Sequence, residues 1–489
     1  MKNAKKQEPL REENHFVKAT FIFSNSEMIN VPCKIYLPER TYEKPYMVLK
    51  PSKVDTYRLA SAHKAALKAV IYGFDKEIQT TIEAPEVHFS GCSTKHWGHE
   101  ISESTVHGVP QDLHVIHHLQ NHEGQEKTLL VFWVSPNTFL TPYMICSTSY
   151  TGDIKYEKVG DLKFTLKNNV GLVFDKYFDS KSVKNGDLTQ WSYLVACVEL
   201  DVPADDVLTL KKTLQDIDDF LLIASFAARF RTACLGWTAT DKKSHATFYR
   251  GNYTFPDGKD NNSDEGLVDI QDFERFTDVC YSSFLKYENK LALRNALYSA
   301  VPSDPNMIET TYLQTFAGLE MLILDFRKWK NLEFILPETE WACLKKYLQS
   351  CIKKSTKPKL ERGERAFIYC KLDELNRVSL REVFDVFCTH YEIDLSDLWP
   401  VFGEKRIVGL TDIRNRLIHG DPFPLDLYRA LIIAKEHLKY TLERVIARVL
   451  GWNIEQSRIS NHYLSIYGFA AKDLSFEQTR LSEFIYRER

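Results

Sequence analysis

The sequence predicts an α+β, multidomain protein, with a β-rich N-terminal part (an antiparallel sandwich or barrel) followed by an all-α helical bundle. Three observations predict it. Short runs of β-branched and aromatic residues dominate from about residue 15 to 200, and helical periodicity dominates beyond about residue 270. Between them lies the polar run Pro256-Asp-Gly-Lys-Asp-Asn-Asn-Ser-Asp-Glu-Gly266, the clearest linker in the chain. At 489 residues the chain exceeds one compact core, so two or three domains are expected.

In chain order, Phe16-Val-Lys-Ala-Thr-Phe-Ile-Phe, Thr128-Leu-Leu-Val-Phe-Trp-Val and Leu162-Lys-Phe-Thr-Leu read as strands bounded by Pro, Gly, Asn and Asp. A helical insertion is expected around Tyr57 to Ile71. The strands recur without long helices between them, which favours antiparallel pairing. After Val202-Pro203 the pattern changes. Asp205 or Asp206 can cap a helix with apolar positions at Leu208, Leu210, Leu214, Ile217, Leu221 and Leu222, continuing to about Cys234. A short strand pair is expected around Ala246 to Tyr253. Helices are then placed near 270–299, 306–328, 338–353, 363–374, 379–392, 410–419 and 425–450, punctuated by Pro302, Pro305, Pro358, Pro400, Pro422 and Pro424. The expected division is a β-rich domain over 1–203, a helical connector with short strands over 204–265, a helical bundle over 266–455 and a C-terminal extension over 456–489.

A net charge of −3 shows that the whole molecule is not a cationic nucleic-acid coat, so RNA contact would need a local basic patch. The ten cysteines are scattered without a CxxC pair, and most lie in apolar surroundings. They read as buried thiols in a reducing compartment. The charged N-terminus lacks a secretory h-region. The longest apolar stretch, Phe220 to Phe230, is too short to span a bilayer and contains Arg229. A cytoplasmic location without membrane contact is expected.

The most specific feature is Ile-Arg-Asn-Arg-Leu-Ile-His-Gly, residues 413 to 420. Thr411 or Asp412 can cap a short helix there, and Gly420 followed by Pro422 ends it. At about 100° per residue, Asn415 and His419 share a face, while Arg414 lies about 140° from His419. The helix C-terminus favours a positive imidazolium at His419, and a nearby arginine opposes it. The residue types suit cleavage of a phosphodiester without metal. Histidine can move the 2′-hydroxyl or leaving-group proton near neutral pH, and the arginine fork can hold a developing phosphorane. Asn415 can orient the His419 ring or contact phosphate.

The stretch Leu410-Thr-Asp-Ile-Arg414-Asn415-Arg-Leu-Ile-His419-Gly resembles the RxxxxH signature of the HEPN superfamily, with a polar residue directly after the arginine. Tyr312-Leu-Gln-Thr-Phe-Ala-Gly-Leu-Glu320 resembles the first core helix of that family, which often carries a glutamate. A β-rich half before such a bundle is similar to ApeA-type anti-phage abortive-infection proteins. The motif-level likeness covers about residues 270 to 452, and over the first 200 residues it is architectural only.

The resemblance implies a metal-independent endoribonuclease with no cofactor, acting on cellular or phage RNA, tRNA being a common target class. It implies Arg414 and His419 as the catalytic pair, Asn415 as a supporting polar residue and Glu320 as an orienting one. Arg416 is an additional basic residue, at best an RNA contact. It also implies a homodimer through the bundle that brings two motifs to one cleft. A phage-derived trigger is expected at the N-terminal domain. A non-catalytic HEPN module that binds nucleotide, RNA or a protein is the alternative.

Two further features bear on chemistry. Residues 401–452 hold nine Lys or Arg against six Asp or Glu, and Lys353-Lys-Ser-Thr-Lys-Pro-Lys359 with Arg362 and Arg365 adds positive charge. Most of it reads as a solvated helix face and a lysine-rich loop. Eight of the fifteen histidines fall between His88 and His122, beside Cys92. The Cys92, His96, His99 spacing matches no zinc knuckle, so these read as strand and loop residues and no metal ligand is assigned, with phosphate or nucleobase contact and a metal-dependent enzyme seated here as the alternatives. HExxH, GxxxxGK[ST], GxSxG and GxGxxG are absent, which argues against a zincin, a P-loop NTPase, an α/β-hydrolase or a Rossmann enzyme.

Overall fold

A computed structural model describes residues 14–487 apart from 24–25, 38–44, 53–68, 76–79, 98–99, 119–126, 149–153, 183–187, 251–264, 302–306, 356–357, 359 and 405. The chain forms two compact units, Met1–Asp278 and Val279–Arg489. Most of the helix expected at Tyr57 to Ile71, and most of the linker, lie outside the described residues.

In the first unit, β1 to β6 occupy Asn14–Phe23, Ser26–Tyr36, Tyr46–Leu49, Ala69–Asp75, Thr80–Trp97 and Glu100–His118. Every pairing among them is antiparallel, and the order β6-β3-β2-β1-β4-β5 returns to β6, closing a ring. Of the two architectures expected, this end is therefore a barrel, in which closure leaves no exposed edge. Alternate residues fill it: Val31, Cys33 and Ile35 from β2, Met47 and Leu49 from β3, Ile82 and Ala84 from β5, and Leu113 and Val115 from β6. A spacing of two places them on one face of each strand, and each fully buried aliphatic side chain contributes roughly 1.5–3 kcal/mol.

Long β6 also carries the rest of the sheet. Its residues 106–108 pair with β3, while 112–118 pair with β14 (Ser244–Arg250). Beyond β14 follow β13 (Cys234–Thr240), β7 (Thr128–Val134), β12 (Leu188–Leu200), β11 (Gly171–Ser182) and β10 (Leu162–Thr165), making a single 12-stranded sheet. A separate hairpin joins β8 (Met144–Thr148) to β9 (Ile154–Lys158). The strands of the segment expected as a connector are thus built into the sheet, because β13 and β14 sit between β7 and β6.

The helix α1 (Val207–Ala228) starts at Asp206, whose carboxylate accepts the Thr209 N–H at 3.2 Å. It packs Phe220 against Phe164 and Phe174 of the sheet. It stops six residues before Cys234, where Arg229 turns left-handed at φ 50, since Cys234 is needed to open β13.

In the second unit the chain is helical. Beyond α2 (Phe273–Lys286) come α3 (Lys290–Ala300), α4 (Ile308–Trp329), α5 (Glu338–Lys354), α6 (Arg362–Lys371) and α7 (Leu380–Tyr391). They are followed by α8 (Leu410–His419), α9 (Tyr428–Val449), α10 (Asn461–Tyr467), α11 (Phe469–Lys472) and α12 (Leu474–Arg487). The one helix expected over 270–299 is two, because Asn289 interrupts it and caps α3. Helix α9 is the axis of the bundle, buried at Leu431, Ala434, Leu438, Leu442, Val445 and Ile446 among others. The C-terminal residues pack back on it, with Leu481 and Ile485 of α12 buried.

The cysteines divide. Cys33, Cys234 and Cys280 are buried, and burial pushes the Cys33 and Cys234 thiols up to about 12. Contrary to expectation, Cys343, Cys351 and Cys370 are exposed, because α5 and α6 bury nothing. Among the described residues no helix is long and apolar enough to cross a membrane.

Candidate functional site

Helix α8 spans the motif residue for residue. Its start is set by the segment before it rather than by Thr411 or Asp412. Gly409 is the N-cap, and its N–H donates to the Asp412 carboxylate at 3.0 Å, one turn into the helix. A Cβ at Gly409 would lie 2.2 Å from the Gly403 nitrogen, so only glycine allows the chain to fold back here. The Thr411 N–H and hydroxyl both donate to the Val401 carbonyl at 2.8 Å. Leu410 and Ile413 are buried.

The other end closes as expected. Gly420 is left-handed at φ 77, its N–H donates to Leu417 at 3.2 Å, and the Asp421 N–H reaches the Arg416 carbonyl at 3.2 Å. This pair of bonds is a Schellman closure.

One stripe of α4 holds α8. Tyr312, Phe316 and Glu320 recur every four residues, so they stack along one face. The Tyr312 hydroxyl donates to the Leu410 carbonyl at 2.8 Å, and burial pushes this phenol well above its ordinary range. The Arg414 guanidinium lies 5.7 Å from the centre of the Phe316 ring. Its Nη2 donates to Glu320 Oε2 at 3.1 Å, and its Nη1 donates to Asn415 Oδ1 at 3.1 Å. Both ends of the ion pair are part-exposed, at 30% for Arg414 and 24% for Glu320. The guanidinium is therefore oriented by three neighbours yet open to solvent.

Arg414, Asn415 and Glu320 are thus brought together. His419 is not joined to them. Its residue is exposed at the last position of α8, and among the described residues its ring has no hydrogen-bond partner. Asn415 turns to Arg414 instead of His419. Arg416 packs toward the last helix. Its guanidinium lies 4.5 Å from the Phe484 ring centre and 5.4 Å from that of Phe423, and it donates to the Pro422 carbonyl at 3.3 Å. It clamps the turn after His419 to α12.

Sequence reasoning missed the Tyr312 and Phe316 contacts, although their spacing with Glu320 was a usable signal. It could not have found Phe484, which arrives from the last helix.

The histidine-rich stretch lies on β5 and β6. A row crosses four strands: Thr80 Oγ1 meets His117 Nδ1 at 2.7 Å, the rings of His117 and His245 stack at 6.3 Å, and His245 Nδ1 meets Thr240 Oγ1 at 2.8 Å. His118 pairs with the Thr81 hydroxyl and His88 with Gln111. His114 is buried edge-on against Phe248, and desolvation, helped by Lys211, lowers it to about 4. The Glu83 carboxylate, 3.9 Å away, pulls the other way but is 42% exposed and weaker than the burial. Among the described residues no group of three or more His, Cys, Asp or Glu converges to hold a metal ion. The side chains of Cys92, His96 and His99 lie outside them.

No family model, no curated protein and no solved structure matches the chain.

Proposed function

We propose that the helical unit is a metal-independent endoribonuclease of the HEPN kind, and that the chain is an abortive-infection protein that cleaves cellular or phage RNA, with tRNA a natural target, to halt translation. The observation that carries the reading is the Arg414–Glu320 contact from α4 to α8, with an uncommitted imidazole at the end of the same short helix.

In this reading the RNA 2′-oxygen attacks the adjacent phosphorus, the bond from phosphorus to the 5′-oxygen breaks, and a 2′,3′-cyclic phosphate and a free 5′-hydroxyl result. His419 takes the 2′-hydroxyl proton or supplies the one that the leaving oxygen needs. Arg414, held by Glu320 and Asn415, faces the charge that builds on the phosphorane oxygens. The two groups sit about 140° apart around α8, so a symmetric pair of bundles is the arrangement that makes them converge, with Arg414 of one copy serving beside His419 of the other. The β-rich unit then receives a phage-derived trigger, and restrains the nuclease until it arrives. Such a protein works in the cytoplasm without a cofactor.

The test is RNA cleavage by purified protein in EDTA, with the product ends mapped. Cyclic or 3′-phosphate ends that vanish in both Arg414→Ala and His419→Ala support the assignment, and full cutting by both variants refutes it. A second reading, a non-catalytic binding module, draws support from the neutralisation of Arg414 by Glu320. It requires RNA binding that survives His419→Ala and no cleavage products under any condition.

A further inference from the structure

Between α4 and α7 the chain inserts the hairpin α5–α6, and neither helix contains a buried residue. Its base is firmly closed. The buried Asn376 accepts the Leu336 N–H at 2.8 Å and donates to the Leu336 carbonyl at 3.1 Å. Trp341 and Lys345 both donate to Asp373, at 3.0 and 2.7 Å, and the Tyr369 hydroxyl ties α6 to the Gln349 carbonyl at 3.2 Å. A helix of 17 residues is about 25 Å long. An element anchored at its base and without one buried side chain along such a length adds little to the core of its own unit.

Its charge is also unlike the rest of the chain. Residues 338–371 carry nine Lys or Arg against four Asp or Glu, whereas the whole chain has 63 against 66. The acidic groups are used at helix starts: Glu338 and Glu340 lie in the first turn of α5, and Glu361 and Glu364 form the capping box of α6. The cations collect at the opposite end from the base, with Lys353 and Lys354 closing α5 and Arg362 and Arg365 opening α6. Among the described residues none of these four side chains has an ion pair or a hydrogen bond. Lys345 and Lys371, by contrast, are held by Asp373 and Glu374. Farther along α6, past its midpoint from the tip, Phe367 is 78% exposed.

We infer that the α5–α6 hairpin is an RNA-binding arm, whose tip, Lys353, Lys354, Arg362 and Arg365, takes the phosphate backbone of a single-stranded segment while Phe367 offers a stacking face to a base. Unpaired cations at the tip and an exposed aromatic ring farther along α6 fit a polyanion that also carries flat apolar groups. A membrane-seeking helix needs instead a long continuous apolar face under its basic rim, and on α5 the only exposed large apolar side chains are Leu344 and Tyr347. The choice of RNA over another polyanion rests on the ribonuclease reading.

Binding is measured on full-length His419→Ala protein, by fluorescence anisotropy with a labelled single-stranded RNA over a series of KCl concentrations. Adding Lys353→Ala, Lys354→Ala, Arg362→Ala and Arg365→Ala should reduce the slope of log Kd against log salt by about 3, near 0.7 per lost phosphate contact. Because these side chains sit on the bare end of the hairpin, the melting temperature should stay the same. Phe367→Ala should weaken binding about fivefold or more and leave the slope alone. An unchanged slope and affinity overturn the proposal, and so does arm-dependent binding that is equally strong to vesicles of anionic lipid. Binding is read without cleavage. Failure of the arm therefore leaves the Arg414 and His419 cleavage tests standing, while a chain that grips RNA through the arm but never cuts it removes the nuclease reading alone.

Discussion

The β-rich unit holds most of the histidines in the chain, and the helical unit holds the one that matters most to the proposed chemistry. On β6 and β14 three imidazoles are spent on structure: His117 and His245 complete a row between two threonines, and His114 is sealed against Phe248. On α8 a single His419 stands in solvent, on the same helix as an arginine that three neighbours orient. A high local density of reactive side chains is therefore a poor guide to a site. What distinguishes His419 from these three is whether the fold leaves the group available.

The contrast is sharpest in a pair of substitutions. His419→Ala should lower RNA cleavage by about two to four orders of magnitude, the usual share of a general acid or base, and leave the melting temperature unchanged. His117→Ala should do the reverse, with cleavage retained and the melting temperature lowered by loss of its bond to Thr80. Cleavage kinetics and thermal unfolding of both proteins decide it. If His117→Ala abolishes cutting while His419→Ala does not, the site has been assigned to the wrong unit.

Two arginines of the helical unit extend the same test from activity to stability. Arg444 is 2% exposed and fully engaged, donating from Nε to the Ile459 carbonyl at 2.7 Å, from Nη1 to the Asp394 carbonyl at 3.0 Å and from Nη2 to Asp397 at 2.7 Å. Arg444→Ala leaves the Asp397 carboxylate facing an emptied site, and should destabilise by about 3–5 kcal/mol in chemical denaturation. Arg414→Ala removes a half-open ion pair and should cost less than about 1 kcal/mol. Equal losses would show that Arg414 is another structural arginine, without a share in chemistry.

The helical half was largely readable in advance, for a physical reason. Its elements are local: α8 from Leu410 to His419 is bounded by Gly409 and Gly420, and proline marks most of the other breaks. The exception, Asn289 between α2 and α3, shows how one capping side chain divides an apolar periodicity that looks continuous. Sheet order was not readable. That β13 and β14 join β7 to β6, or that β6 pairs on both flanks, depends on partners far apart in the chain, and the bulges along β5 break the alternation that would have marked so long a strand. The site divided likewise. Arg414 and His419 stand out as a spacing, and Glu320 came from likeness to a family helix. The grip of Phe423 and Phe484 on Arg416 needed the three-dimensional path of α12.

His114 gives the barrel unit a pH signature of its own. Burial holds it at about 4, against 6.5 for an exposed imidazole. The unfolded chain therefore takes up a proton between those two values while the folded chain does not. The contribution to stability is complete above pH 6.5 and declines as pH falls toward 4, by up to about 3 kcal/mol. His114→Phe should flatten the melting temperature of this unit across that window, whatever its effect at pH 7. An unaltered slope between pH 6.5 and 4 would assign the loss to other groups.

The smallest expected effect lies at Gly420, and it separates the geometry of the motif from its chemistry. A Cβ there would meet nothing within 4 Å, so Gly420→Ala has no steric cost from neighbours, only that of a left-handed residue at φ 77. That amounts to roughly 1–2 kcal/mol, which the chain can meet by loosening the Schellman closure after His419. Arg416 opposes this, because its bond to the Pro422 carbonyl and its stacking on Phe484 hold the far side of the turn. Fraying therefore falls on the last turn of α8, which carries His419, while Arg414 one turn earlier keeps Glu320. If cleavage depends on where that imidazole is held, Gly420→Ala should lower it severalfold with RNA affinity intact, and Asn at 420, which tolerates the left-handed region, should recover most of the difference. Unchanged cleavage in Gly420→Ala would mean that the position of His419 does not govern the reaction.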